Sequence, residues 1–212
     1  MSLPARLVCR AVNLQKLNVK FFLSAPSEVS LTAFIDVFNR WIQESEGEYY
    51  DLADYSHVPA GPGILLVAHE ANISIDNSGN RLGLLYNQKQ PLQGSNQEKL
   101  RFAFKKALEA CLKVESEPSL KGKIAFQAKE SQLCVNDRLL APNTDETFQA
   151  IAGEVHALAR LLFRGSRYSV QRCAQDGRQR FSISLKAEES FNVRALLENL
   201  NPNIRSHPLN LS

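Results

Sequence analysis

Apolar and polar positions along this chain recur with two different periods, and the switches between them mark out its elements. Leu17, Val19, Phe21 and Leu23 return every second residue, as in a half-buried strand. Leu31, Phe34, Ile35, Phe38, Trp41 and Ile42 return at i, i+3, i+4 and i+7, which predicts an amphipathic helix over 30–45. Ser95 and Glu98 have capping-box spacing. The cleanest helical stripe follows them: Leu100, Ala103, Phe104, Ala107, Leu108, Cys111 and Leu112. A third helix opens at Ala141-Pro142-Asn143, with Asn143 and Glu146 as its cap pair, and buries Phe148, Ile151, Val155 and Leu162. A short helix at 193–200 closes the fold, and 201–212 reads as an irregular tail.

Between the helices lie short extended runs. Tyr49–Tyr55 and the unbroken apolar run Ile64–Ala68 flank a loop holding Pro59, Gly61, Pro62 and Gly63, whose residues fix or free the backbone and so shape the turn. Simple alternation puts Tyr49, Asp51, Ala53 and Tyr55 on one face. Ile73 and Ile75 pair with 82–86 across the turn formers Asp76 to Asn80. Two short strands are predicted at Lys123–Gln127 and Gln132–Asn136, and a last hairpin at 168–173 and 181–185 around Gln175-Asp176-Gly177.

This order of elements predicts an α+β fold, with mixed or antiparallel sheets and helices on one face. Helix-plus-hairpin units after residues 30, 97 and 144 allow ferredoxin-like plaits; a single sheet is equally compatible. The corresponding division is a unit at 1–128 with an inserted hairpin at 72–88 and a second unit at 129–200, or one domain throughout. The expected core includes Leu31, Phe34, Phe38, Trp41, Leu66, Leu100, Phe104, Leu108, Phe148, Val155 and Leu162.

Composition narrows the class. The chain has 212 residues, 44% apolar and 22% charged, and no apolar run approaches the ~18 residues of a membrane span. Cys9, Cys111, Cys134 and Cys173 are dispersed without CxxC spacing, which favours reduced thiols and a cytoplasmic location. Residues 1–27 carry Arg6, Arg10, Lys16 and Lys20 but lack a continuous apolar segment, so they read as structure and not as an address.

Candidate chemistry is sparse. Asp51, His69 and Glu70 cluster at one end of the 49–70 hairpin, where a neutral histidine beside a carboxylate suits general-base work. His57 falls at the other end, with Gly61 and Gly63 in the loop as ligand-binding candidates; that separation speaks against a two-histidine metal site. The loop lacks a phosphate-binding pattern and leads into a strand, so no helix dipole faces it. Residues 1–96 hold seven Lys/Arg against nine Asp/Glu, and residues 97–212 hold 18 against 13. Arg164, Arg167, Arg172, Arg178 and Arg180 make 160–186 a candidate polyanion surface. No metal or cofactor is expected.

The leading expectation is a non-catalytic binding or interaction module, self-associating through a sheet edge and without a membrane partner. A small-molecule enzyme near Asp51, His69 and Glu70 is the rival. Nucleic-acid or other polyanion binding through 160–186 is the lesser alternative.

Overall fold

The computed structural model describes residues 12–24, 29–173 and 176–201. Eight strands form one sheet in the order β2-β3-β4-β5-β1-β6-β8-β7. They are β1 (Leu17–Leu23), β2 (Tyr49–Tyr55), β3 (Gly63–Ala68), β4 (Ala71–Asp76), β5 (Gly83–Gln88), β6 (Phe126–Val135), β7 (Tyr168–Arg172) and β8 (Ser182–Ala187). Every neighbouring pair runs antiparallel. The helices are α1 (Ala33–Glu44), α2 (Asn96–Ser116), α3 (Asp145–Leu162) and α4 (Val193–Leu200). The class is α+β, and no separate plait forms among the described residues: one sheet runs through both predicted units, and the expected boundary at 128/129 falls inside β6. The 72–88 hairpin, as β4 and β5, supplies two central strands of this sheet.

Register assigns each side chain to a face, because directly opposed residues point the same way. Val19 lies opposite Tyr86, Tyr86 opposite Ile73, and Ile73 opposite Leu66. All four are buried on the helix-covered face, where Phe21 meets Phe104 of α2 edge-on at 6.1 Å. Lys20 lies opposite Leu85 and Gln132, Leu85 opposite Ser74, and Gln132 opposite Ser184. These point away from the helices.

The helical stripes face the core as expected, with Leu31, Ile35, Ile42, Leu112 and Phe148 only partly covered. Ser95 and Glu98 complete the capping box of α2, each side chain bonded to the other's backbone N–H. At α3 the cap is Thr144, whose hydroxyl accepts from the Thr147 N–H at 3.3 Å. Asn143, the expected cap, instead donates to the Asp176 carbonyl at 2.9 Å, tying α3 to the β7–β8 turn. Phe126–Val135 is one strand, not two, because a bulge opposite Phe21 and Phe22 absorbs the extra residues: Phe21 faces Ser131 and Phe22 faces Gln127. A second bulge, between Tyr49 and Asp51, breaks the simple alternation of β2. Tyr49 therefore opposes buried Ala68 while Asp51 opposes Val67, on the other face. Cys9, the break at Ala25-Pro26-Ser27, Gln175 of the last turn, and residues 1–11 and 202–212 lie outside the described residues.

Candidate ligand cavity

A cavity of about 590 Å³ opens on the helix-covered side, between α1, α2 and the β3–β4 turn. Its apolar floor and walls come from Trp41 on α1, Tyr49 at the start of β2, Ile73, Tyr86, and Phe102 and Ala110 on α2. Charged groups ring the mouth: Glu48, His69, Glu70, Lys106, Glu109 and Lys113. The elements explain the mixture. Helix α2 lays Ala103, Phe104, Ala107 and Leu108 on the sheet, so its neighbouring stripe, Phe102, Lys106, Glu109 and Lys113, borders the cavity instead.

Trp41 is held from two sides. Its indole N–H donates to Glu117 Oε1, and the Lys113 ammonium sits 4.0 Å from its ring centroid. The same ammonium lies 5.4 Å from the Tyr49 ring. Glu117 also accepts from Arg40 at 2.7 Å, so its carboxylate is paired although it is buried. The Tyr86 hydroxyl donates to Gln88 Oε1 at 2.5 Å. Burial pushes the phenols of Tyr49 and Tyr86 well above their usual range, with Glu48 adding to the first and Glu70 to the second. Both are neutral hydroxyls at any physiological pH. The result is an aromatic slot with fixed ammonium and carboxylate groups at its mouth, a common build for small-molecule sites.

His69 and Glu70 line this cavity; Asp51 does not. His69 Nε2 and Glu70 Oε1 stand 3.9 Å apart on a tight turn, with 78% and 73% of their side chains exposed. Asp51 accepts from the Leu52 N–H at 2.8 Å and faces away from the helices. The three candidates therefore do not converge on one concave site. His57 is exposed in the β2–β3 turn, at the opposite end of β3. Gly61 and Gly63 shape the backbone there. The Gly61 carbonyl accepts from the Asn77 N–H at 3.0 Å, and a Cβ on Gly63 would stand 2.0 Å from the Ile75 oxygen. Neither glycine nor His57 borders the cavity.

The five arginines of the basic region are divided. Arg164 and Arg167 sit at the α3–β7 corner, where Arg164 donates to the Asn199 carbonyl at 2.9 Å. Arg172 turns its side chain, only 7% exposed, to the start of α3 and pairs with Asp145 at 2.7 Å. Arg178 and Arg180 lie at the far end of the hairpin; Arg178 pairs with Asp176 at 3.2 Å, and Arg180 donates to Asn136 Oδ1 at 3.2 Å. They do not form one surface. Among the described residues no His/Cys/Asp/Glu group is arranged to hold a metal ion, and no helix is long and apolar enough to cross a membrane.

Sequence reasoning missed most of the cavity. One signal was present: Phe102 stands beside the Leu100, Phe104, Leu108 stripe, a large apolar residue outside the sheet-facing set. Comparison with protein-family models, curated proteins and solved structures finds no match. The functional reading rests on the geometry.

Proposed function

We propose that this protein is a non-catalytic binding module that holds a small amphipathic molecule in the cavity between α1, α2 and the β3–β4 turn. The observation that supports this most directly is the lining: Trp41, Tyr49, Tyr86 and Phe102 offer rings to a flat apolar body, and Lys106 and Lys113 at the mouth meet a polar head. His69 and Glu70 act here as exposed rim groups. Both side chains are largely exposed, and besides Glu70 the His69 ring meets only the Gln90 amide, at a long 3.4 Å, which is a loose hold for a general base.

Trp41 is the single tryptophan, so the cavity carries its own reporter. The test is a titration with 1-anilinonaphthalene-8-sulfonate, following energy transfer from Trp41 to the probe. Saturable transfer is expected, weakened about tenfold in Phe102→Ser through loss of apolar contact. Phe102 is 40% exposed, so this variant keeps its fold. Equal binding by the variant, or transfer that never saturates, defeats the reading. So does turnover in a broad hydrolase and transferase screen that disappears in His69→Ala or Glu70→Gln.

A separate observation supports self-association. Strand β2 is an edge of the sheet, with Tyr50 57% and Tyr55 40% exposed beside its unpaired backbone groups. We propose that two copies pair along it. Light scattering should show a dimer that Ala53→Pro converts to monomer; a wild-type monomer at high concentration ends this reading. Cys111, Cys134 and Cys173 are unpaired, which supports a reducing, cytoplasmic setting.

A further inference from the structure

A second cavity, of about 460 Å³, lies on the face of the sheet that points away from the helices. Asn18 and Lys20 of β1 form its floor with Gln132 of β6, Asp76 stands at one side, and Arg178 and Arg180 stand at the other. None of these residues borders the aromatic cavity.

The floor is unusual in its hydrogen bonding. Asn18 is 3% exposed, yet its Oδ1 accepts no hydrogen bond from any described residue. Buried polar side-chain atoms nearly always have a partner, so an unanswered acceptor on a residue that lines a cavity asks for a donor. Lys20 is held rigidly beside it. Its ammonium donates to Asp76 Oδ1 at 2.5 Å and to the Ser78 carbonyl at 3.2 Å. Lys20 thus reaches from β1 across β5 to Asp76 at the end of β4.

Charge supplies the rest. Lys20, Arg178 and Arg180 stand against one lining carboxylate, Asp76. A cleft with that balance favours an anion. Arg178 is available to it, because its side chain is 91% exposed in a surface pair with Asp176 that costs little to open. An anion alone leaves Asn18 unanswered, and a neutral polyol leaves the arginines unanswered.

We infer that this cavity binds a small hydroxylated anion, a phosphate- or carboxylate-bearing polyol. Its anionic group is taken by Arg178 and Arg180, and one of its hydroxyls donates to Asn18 Oδ1. The proposal is independent of the aromatic cavity.

The experiment is a titration of isotope-labelled full-length protein, followed by backbone and side-chain amide resonances. The probes are glycerol 3-phosphate, glycerate, inorganic phosphate and glycerol, each up to about 10 mM, where a millimolar ligand saturates. Glycerol 3-phosphate or glycerate should shift the resonances of Asn18, Lys20 and Gln132 saturably, and which of the two binds tighter separates phosphate from carboxylate. Inorganic phosphate should bind several-fold more weakly, and glycerol not at all. Asn18→Leu should erase the advantage of glycerol 3-phosphate over inorganic phosphate. Arg178→Ser with Arg180→Ser should abolish binding of every anion; both residues are exposed, so this variant decides the anion half even if Asn18→Leu fails to fold. No shifts with either hydroxylated anion, equal binding of phosphate and glycerol 3-phosphate, or undiminished binding by the double-arginine variant overturns the proposal. Trp41 fluorescence should stay unchanged throughout, since that ring borders only the other cavity.

Discussion

Strand β1 visits two environments in turn. Leu17, Val19 and Phe21 enter the core under the helices; Asn18, Lys20 and Phe22 point the other way, and all six are buried. An antiparallel sheet of this kind commonly covers one face and leaves the other wet. Here the covered face follows the rule, and its cavity is a gap between helices walled by rings. The opposite face is polar at its centre but enclosed there as well, with Asn18, Lys20, Ser74 and Asp76 all under 5% exposed. The covered face gains stability by excluding water. The other holds polar groups in fixed positions at a cost of roughly 1–3 kcal/mol for an acceptor such as Asn18 left unpaired. That contrast separates positions that hold the fold from positions placed for contact.

The largest effect should come from the covered face. Phe104 is fully buried against Phe21, and Phe104→Ala should destabilise by roughly 3–5 kcal/mol in urea unfolding. Ser184→Ala, in the polar row beside Gln132, should change stability by less than about 0.5 kcal/mol. Similar losses at both positions would erase the distinction between the faces.

Next in size is the buried pair. Asp76→Leu leaves the Lys20 ammonium without its carboxylate and should cost roughly 3 kcal/mol. Lys20→Met added to Asp76→Leu should recover most of that loss, because no charge then remains to be orphaned. Additive losses would mean that Lys20 and Asp76 do not depend on each other, and would defeat the pairing. Gly83→Ala should cost roughly 2 kcal/mol, since its Cβ would stand 2.3 Å from the Phe21 carbonyl oxygen and the β1–β5 ladder must part to admit it. A neutral Gly83→Ala would show that this ladder yields freely.

Much of the covered face is legible in the sequence. The period of 3.6 places α1, α2 and α3, and Ser95 with Glu98 announces the start of α2 to the residue. The period of two puts Leu17, Val19 and Phe21 inward correctly. Its further expectation of a half-buried strand fails, since Asn18 and Lys20 are buried too: alternation states which residues share a face and not whether the second face is open. Bulges hide for the same reason. One extra residue near Tyr50 moves Tyr49 to the opposite face from Asp51, and no pattern in YYDLADY marks it. The aromatic cavity needs the order of non-adjacent elements, since Trp41, Tyr86 and Phe102 meet only once β5 is placed between β4 and β1 with α2 across it. His69 and Glu70 were found because they are adjacent in sequence, and adjacency guaranteed nothing about the geometry around them.

The smallest predicted effect sets the two faces against each other by pH. Tyr86, on the covered face, has its phenol raised above the ordinary 10.0 by burial. The unfolded chain then loses that proton first, so stability should fall as pH rises above about 10, by at most ~1.4 kcal/mol per pH unit. Tyr49 acts in the same direction, and more weakly because it is only half-buried and screened by water. Lys20, on the polar face, has its ammonium lowered from 10.5 by burial, which outweighs the pull of Asp76. The unfolded chain holds that proton more tightly between the depressed value and 10.5, so stability should rise with pH across that window. Urea midpoints measured in steps from pH 8 to 11.5 separate the two. Tyr86→Phe should blunt the fall above pH 10, and Lys20→Met should remove the rise below 10.5. A Tyr86→Phe profile that matches wild type would show that the phenol titrates as if in water. The floor of the aromatic cavity would then be wet, and the strongest contrast between the two faces would be lost.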